Sequence, residues 1–143
     1  MFEQSLFVFY ITKKTTQGIG LPRICEFGEY TIEFSQNTPI IYEKIGEREL
    51  LIIGYATDIL KNESTSLAKS MLESTTNLKE ILDFEWHIGG KYLILYKEAS
   101  NIFAIPDATA SISFCYTVDG ALVCSPNSET IAQKLSLDRK SVV

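Results

Sequence analysis

The stretch PDATASISFCYTVDGALVCS, residues 106–125, holds two turns and the strands that flank them. Short apolar runs stop at Asp107-Ala-Thr-Ala and again at Asp119-Gly120, and Asp-Gly between apolar runs is the strongest short-range hairpin signal. A two-residue loop there sets Val118 opposite Ala121 and, counting outward, Cys115 opposite Cys124. The two sulfurs are then expected to be neighbours, a cross-strand thiol pair that in a reducing compartment amounts to two small apolar core residues. Asp107 follows a strand and a proline, so its carboxylate is expected to organise the turn with Thr109 by accepting from backbone N–H groups two residues on.

Working outward, the chain is predicted to alternate between segregated runs of strand and helix. LFVFYIT (6–12) is short, aromatic and β-branched, which reads as a buried strand. Residues 13–22 form a polar loop with Gly18, Gly20 and Pro22, and Cys25 lies in a loop-like region. EYTIEF (29–34) alternates, with Tyr30, Ile32 and Phe34 on one face and Glu29, Thr31 and Glu33 on the other. IIYEKI (40–45), a turn at Gly46-Glu47 and LLIIGY (50–55) continue the strands. Between Ser64 and Thr76 the period changes, with Leu67, Met71 and Leu72 on one helical stripe and Ser64 or Ser66 as the cap. Asn77, with Glu80 three residues on, caps a second helix whose apolar face is Leu78, Ile81, Leu82 and Trp86 and which Gly89-Gly90 stops. Residues 91–96, 102–105, 111–117 and 121–124 are expected to form a four-stranded antiparallel meander, and Ser125-Pro126 opens a last helix. This order favours α+β with antiparallel sheets over a doubly wound parallel sheet.

Composition narrows the function classes. The 143 residues are one domain's worth, 1–143, and the net charge of −5 with no run of Lys or Arg longer than two argues against nucleic-acid binding. The apolar run Leu6–Ile11 follows Glu3 instead of a basic region and is too short to be a signal peptide or a membrane span. Three cysteines without CxxC spacing point to reduced thiols in a cytoplasmic protein, with neither metal nor cofactor implied. His87, the single histidine, is expected at a helix end, where the C-terminal dipole favours a positive imidazole. Asp58, Glu63, Asp83 and Glu85 are scattered, with no spacing that forces two of them onto one site, and Cys25 has no placed base that would make it a nucleophile.

The series IIGYATD (52–58), two helices, GGKYLILY (89–96), IFAIPDATASI (102–112), FCY (114–116) and CSPNSETIA (124–132) resembles the class II glutamine amidotransferase domain at the N-terminus of asparagine synthetases and their relatives. Gly90-Lys-Tyr92, Asp107-Ala-Thr-Ala-Ser111, Phe114 to Tyr116 and Ser125-Pro126 match the family's motifs in order. The resemblance covers residues 50–137 well and the first 49 loosely. It implies the N-terminal-nucleophile fold, an αββα four-layer sandwich in which two antiparallel sheets stack between helices.

The same resemblance argues against the family's activity. Those domains attack the glutamine amide with an N-terminal cysteine whose α-amino group serves as base, and position 2 here is Phe2. The family's "N-G-E" and "G-D" glutamine-binding segments are missing, and Ala110 stands where the turn often carries glycine. No catalytic residue is therefore expected. The reading is a degenerate, non-catalytic module that docks a synthetase domain in cis or in trans, with a homodimer through an open edge strand as a further partner. Two alternatives stay open: the N-terminal piece of an ATP-dependent amide-forming synthetase that uses ammonia or another amine, and a small-molecule-binding or self-associating module.

Overall fold

A computed structural model describes residues 9–13, 18, 20–61, 66–108, 114–116 and 122–124, the last two segments by their backbone. The 143 residues, expected to form one domain, divide into two compact units, Pro39–Ser111 and a second made of Met1–Thr38 with Ile112–Val143. Both carry an antiparallel sheet, and together with the helices they make the chain α+β.

The elements are β1 (Phe9–Lys13), β2 (Arg23–Phe27), β3 (Tyr30–Phe34), β4 (Ile40–Ile45), β5 (Arg48–Asp58), α1 (Leu67–Ser74), α2 (Leu78–Glu85), β6 (Ile88–Glu98), β7 (Asn101–Pro106), β8 (Phe114–Tyr116) and β9 (Leu122–Cys124). In the contiguous unit the sheet order is β4-β5-β6-β7. Its hairpin turns are short because the register leaves two residues at each, Gly46-Glu47 between Ile45 and Arg48, and Ala99-Ser100 between Glu98 and Asn101. Gly46 sits at φ +63 as such a loop requires, whereas Ala99 takes φ +56 with a side chain that penalises it.

Alternation along β5 and β6 decides what the sheet buries. Leu50, Ile52 and Ala56 of β5 and Tyr92, Ile94 and Tyr96 of β6 pack with Leu67, Ala68, Met71 and Leu72 of α1 and Ile81 of α2 in one apolar cluster. Leu51, Ile53, Leu93 and Leu95 alternate with these and are buried too, so both faces of the central strands are out of water. The β5–β6 ladder closes tightly at two glycines. A Cβ on Gly54 (φ +108) would fall 2.3 Å from the Lys91 carbonyl oxygen, and one on Gly90 (φ +133) would fall 2.0 Å from that of Tyr55. No other residue fits either place without moving backbone.

The helices end differently. Asn77 accepts the Glu80 amide at 3.0 Å as expected, and the Glu80 carboxylate reaches back to the amide and hydroxyl of Thr76, one residue earlier than in a capping box. Ser66, in contrast, makes no side-chain cap at the start of α1, and Ser64 lies outside the described residues. At the other end, α1 has no basic residue in its last turn. Arg48 of β5 supplies the charge: it donates to the carbonyls of Leu72 (3.1 Å) and Thr75 (2.8 Å), to the Thr75 hydroxyl (2.7 Å) and to the Tyr96 hydroxyl (3.0 Å). The strand thus satisfies carbonyls that the helix leaves open.

The second unit has the order β2-β3-β1-β9-β8. Its central strand β1 buries Phe9, Tyr10, Ile11 and Thr12, and pairs with β3 on one side and β9 on the other. Several expectations are corrected here. Cys25 lies in strand β2, opposite Ile32, instead of a loop. Only Phe27 of that edge strand is buried, so no apolar period announces it. The four-stranded meander does not form, because β8 and β9 belong to the sheet of β1, while β6 and β7 end the other one. Cys115 pairs with Val123 and Cys124 with Phe114, one residue away from the expected register. Between Tyr116 and Leu122 lie residues 117–121, an odd number that a two-residue loop at Asp119-Gly120 cannot produce. The two cysteines are therefore not opposite partners. The last expected helix lies outside the described residues.

Glu33 also departs from expectation. The alternation of residues 29–34 assigns it to a polar outer face, yet it is buried. Its Oε1 accepts the amides of Gly20 (2.8 Å) and Leu21 (2.9 Å), and a Cβ on Gly18 would fall 1.3 Å from its Oε2. The carboxylate occupies space that a glycine leaves, and two backbone donors offset the cost of removing its charge from water.

Candidate functional site

Two polar clusters of the contiguous unit lie at the start of β6. The first joins Asp107, just past β7, to Tyr92 on β6 and Glu85 at the end of α2. Tyr92 N–H donates to Asp107 Oδ2 at 2.9 Å, and Asp107 N–H donates to the Tyr92 carbonyl at 3.1 Å. The carboxylate thereby extends the β6–β7 ladder past Leu93 and Pro106, where a proline has no N–H to give. The bond seen at Asp107 is across the ladder; its expected turn role with Thr109 falls on a residue outside the described ones.

Below that pair the Tyr92 hydroxyl donates to Glu85 Oε2 at 2.5 Å. Burial, and then the hydrogen bond and charge of Glu85, push the Tyr92 hydroxyl far above the ordinary tyrosine value. It remains a donor throughout the range in which proteins work. Each of the three side chains has a partner, and what the cluster does is hold α2, β6 and β7 together.

The second cluster is built where β5 ends. Asp58 is the last residue of that strand, its side chain only 3% exposed, and its Oδ1 accepts the amides of Leu60 (3.0 Å) and Lys61 (3.4 Å) in the turn that follows. The register places Asp58 opposite Ile88, and Ile59 N–H donates to the His87 carbonyl at 2.9 Å, so the imidazole is carried to the carboxylate. His87 Nδ1 lies 3.6 Å from Asp58 Oδ1, buried and without a hydrogen-bond partner. The Phe84 ring stands 4.9 Å from the imidazole. The His87 side chain is 32% exposed although Nδ1 is buried, which leaves Nε2 on the solvent side.

Large apolar residues next to this pair in sequence are exposed. Trp86 is 84% exposed, Leu60 74% and Ile59 62%. Trp86, expected on the buried face of α2, instead follows the last residue of that helix, Glu85, and the chain turns so that Gly89 and Gly90 begin β6 instead of stopping a helix. Of the other expected carboxylates, Asp83 pairs with Lys79 on the surface of α2, and Glu63 lies outside the described residues. Among the described residues no group of three His, Cys, Asp or Glu side chains converges as a metal site, and no helix is long and apolar enough to cross a membrane.

Sequence reasoning leaves Asp58 and His87 separate. The signal that joins them is the pairing of IIGYATD with GGKYLILY: once Gly54 stands opposite Tyr92, Asp58 must stand opposite Ile88, beside His87. The chain matches no family model, and comparison with curated proteins and with solved structures gives no significant match.

Proposed function

We propose that this chain is a non-catalytic domain of the class II glutamine amidotransferase type, a docking module for an asparagine synthetase-type synthetase domain in cis or in trans. The observation that carries the reading is the bond pair between Tyr92 and Asp107. Two of the motifs on which the resemblance rests, Gly90-Lys-Tyr92 and the Asp107 turn, stand fifteen residues apart in sequence and meet in reciprocal hydrogen bonds of 2.9 and 3.1 Å. The pattern of two strands, two helices and two strands in one antiparallel sheet supports it as well.

In this reading the architecture is the αββα sandwich of the resembled family. Burial of Leu51, Ile53, Leu93 and Leu95, on the sheet face turned away from α1 and α2, supports a further layer on that face. In this reading glutamine is not hydrolysed, and the engagement of Glu33, Glu85 and Asp107 in bonds that hold the fold supports it. Ammonia release from glutamine by the purified chain tests the proposal. The expected result is no release above the blank; release that grows in proportion to the amount of chain overturns it.

A further inference from the structure

We propose that strand β7 is the edge at which two copies of this chain pair, antiparallel and centred on Phe103, so that their four-stranded sheets continue into one. The inference gives the homodimer expected from the sequence an edge and a register, and it stands whether or not the docking reading holds. β7 ends the order β4-β5-β6-β7, and among the described residues nothing pairs with its outer side. The bond from Asp107 N–H to the Tyr92 carbonyl marks those two as a hydrogen-bonded pair, and such pairs alternate along an antiparallel ladder. Ile105, Phe103 and Asn101 therefore direct their backbone groups to β6, whereas Ile102 and Ala104 turn theirs outward. Pro106, next in that outward series, has no N–H and ends the usable edge.

The strand NIFAIP holds no charged residue, the usual device that keeps an edge from pairing with a copy of itself. At the opposite edge of the sheet, β4 carries Glu43 and Lys44. Symmetry then selects the register. A two-fold axis perpendicular to the sheet allows only registers that set some residue opposite its own copy, because side chains alternate between faces. Centred on Phe103, the pairing sets Ile102 opposite Ala104 of the second copy, and both outward amides donate while both outward carbonyls accept. Centred on Ala104, it would set Ile102 opposite Pro106 and lose a donor. Side-chain sizes agree with the Phe103 register. Half-buried Ile102 meets exposed Ala104 on one face, large against small. On the other face Phe103, whose ring stacks on Tyr96 with centroids 6.4 Å apart, meets its own copy at a pair without ladder bonds, where side chains are closest. The aromatic row thus continues across the axis. The helices pack on the other strands of this sheet, α1 on β4 and β5 and α2 on β6.

Sedimentation equilibrium of the full chain from micromolar to millimolar concentration tests for the dimer. The average mass should rise from that of one chain toward that of two. Ala104→Lys, which puts an ammonium at an exposed position of the edge, should hold the mass at one chain throughout and leave the urea midpoint near that of the parent. Cross-linking under a mild oxidant reads the register. Phe103→Cys should link to its own copy, since directly opposite Cα atoms lie about 4.5 Å apart at such a pair, whereas Ala104→Cys should not, its Cα atoms standing beyond the ~7 Å limit for a disulfide. A mixture of Ile102→Cys and Ala104→Cys chains, directly opposite in this register, should also link and gives the same answer if Phe103→Cys does not fold. The parent chain, treated alongside, accounts for links through Cys25, Cys115 and Cys124. A mass that stays at one chain, a dimer that Ala104→Lys leaves intact, or an Ala104→Cys chain that links to itself as readily as the expected pairs overturns the proposal.

Discussion

The two polar clusters at the start of β6 are built from the same kinds of residue and are opposite in state. In the Tyr92–Glu85–Asp107 cluster the carboxylates take the N–H and O–H of Tyr92, and Tyr92 is 1% exposed. In the Asp58–His87 pair the carboxylate is buried and bonded to backbone, but one imidazole nitrogen is buried without a partner and the other faces solvent. A closed cluster contributes to stability because each of its groups would be costly to leave unbonded. An open pair, with one imidazole nitrogen left to solvent, is expected to contribute little to stability. The difference teaches that burial of a carboxylate does not by itself mark a functional residue; what matters is whether the group it orients is already satisfied.

The largest effect should come from the glycine that lets both clusters form. Gly90→Ala forces a Cβ against the Tyr55 carbonyl at positive φ, and chemical denaturation should show a loss of about 2–6 kcal/mol, strain and overpacking combined. Breaking the closed cluster comes next: Asp107→Ala leaves the buried Tyr92 amide without its acceptor and should cost about 1–3 kcal/mol.

Tyr92→Phe should cost about 1–2 kcal/mol near neutral pH, and it also sharpens the comparison through pH. Because the folded-state value of Tyr92 is raised, its contribution is complete below the ordinary tyrosine value of about 10. Above that pH the unfolded chain loses a proton that the folded chain keeps, so stability falls as pH rises. Urea midpoints measured from pH 8 to pH 11 should therefore drop more steeply for the parent chain than for Tyr92→Phe.

Two smaller effects complete the series. Ala99→Gly, in a hairpin loop of the same sheet, relieves the positive φ and should add about 0.5–1 kcal/mol, which reports on local strain and on neither cluster. His87→Gln should change stability by no more than about 0.5 kcal/mol, as expected of a group that the fold does not depend on. A loss from His87→Gln as large as that from Asp107→Ala would remove the distinction between the clusters.

The sequence made the contiguous unit legible where patterns were local. The apolar runs of β5 and β6, the Gly46-Glu47 turn and the Asn77 cap all act within a few residues, and all stand where expected. It failed where a distant partner decides. Strands β8 and β9 join the sheet of β1 through pairings such as Phe9 with Cys124, which no local period announces. The Cys115 register depended on the parity of the residues between the strands, and an odd number separates the paired Tyr116 and Leu122. Glu33 looked like an outward carboxylate because its donors, Gly20 and Leu21, come from a loop whose path alternation cannot predict. Within the candidate sites, the ladder bond of Asp107 to Tyr92 was not legible, because it joins residues fifteen apart. The Asp58–His87 pair required the β5–β6 register, and the only hints of that register were the glycines, Gly54 and Gly90, which allow the strands to approach so closely.

The distinction between the two clusters rests on where the proton of neutral His87 sits, and a long-range proton–nitrogen spectrum of the histidine ring at alkaline pH reads that position. A proton on Nδ1, toward Asp58, with an unprotonated Nε2 is the predicted result. A proton on Nε2 would mean that no acceptor faces solvent, and would contradict the account.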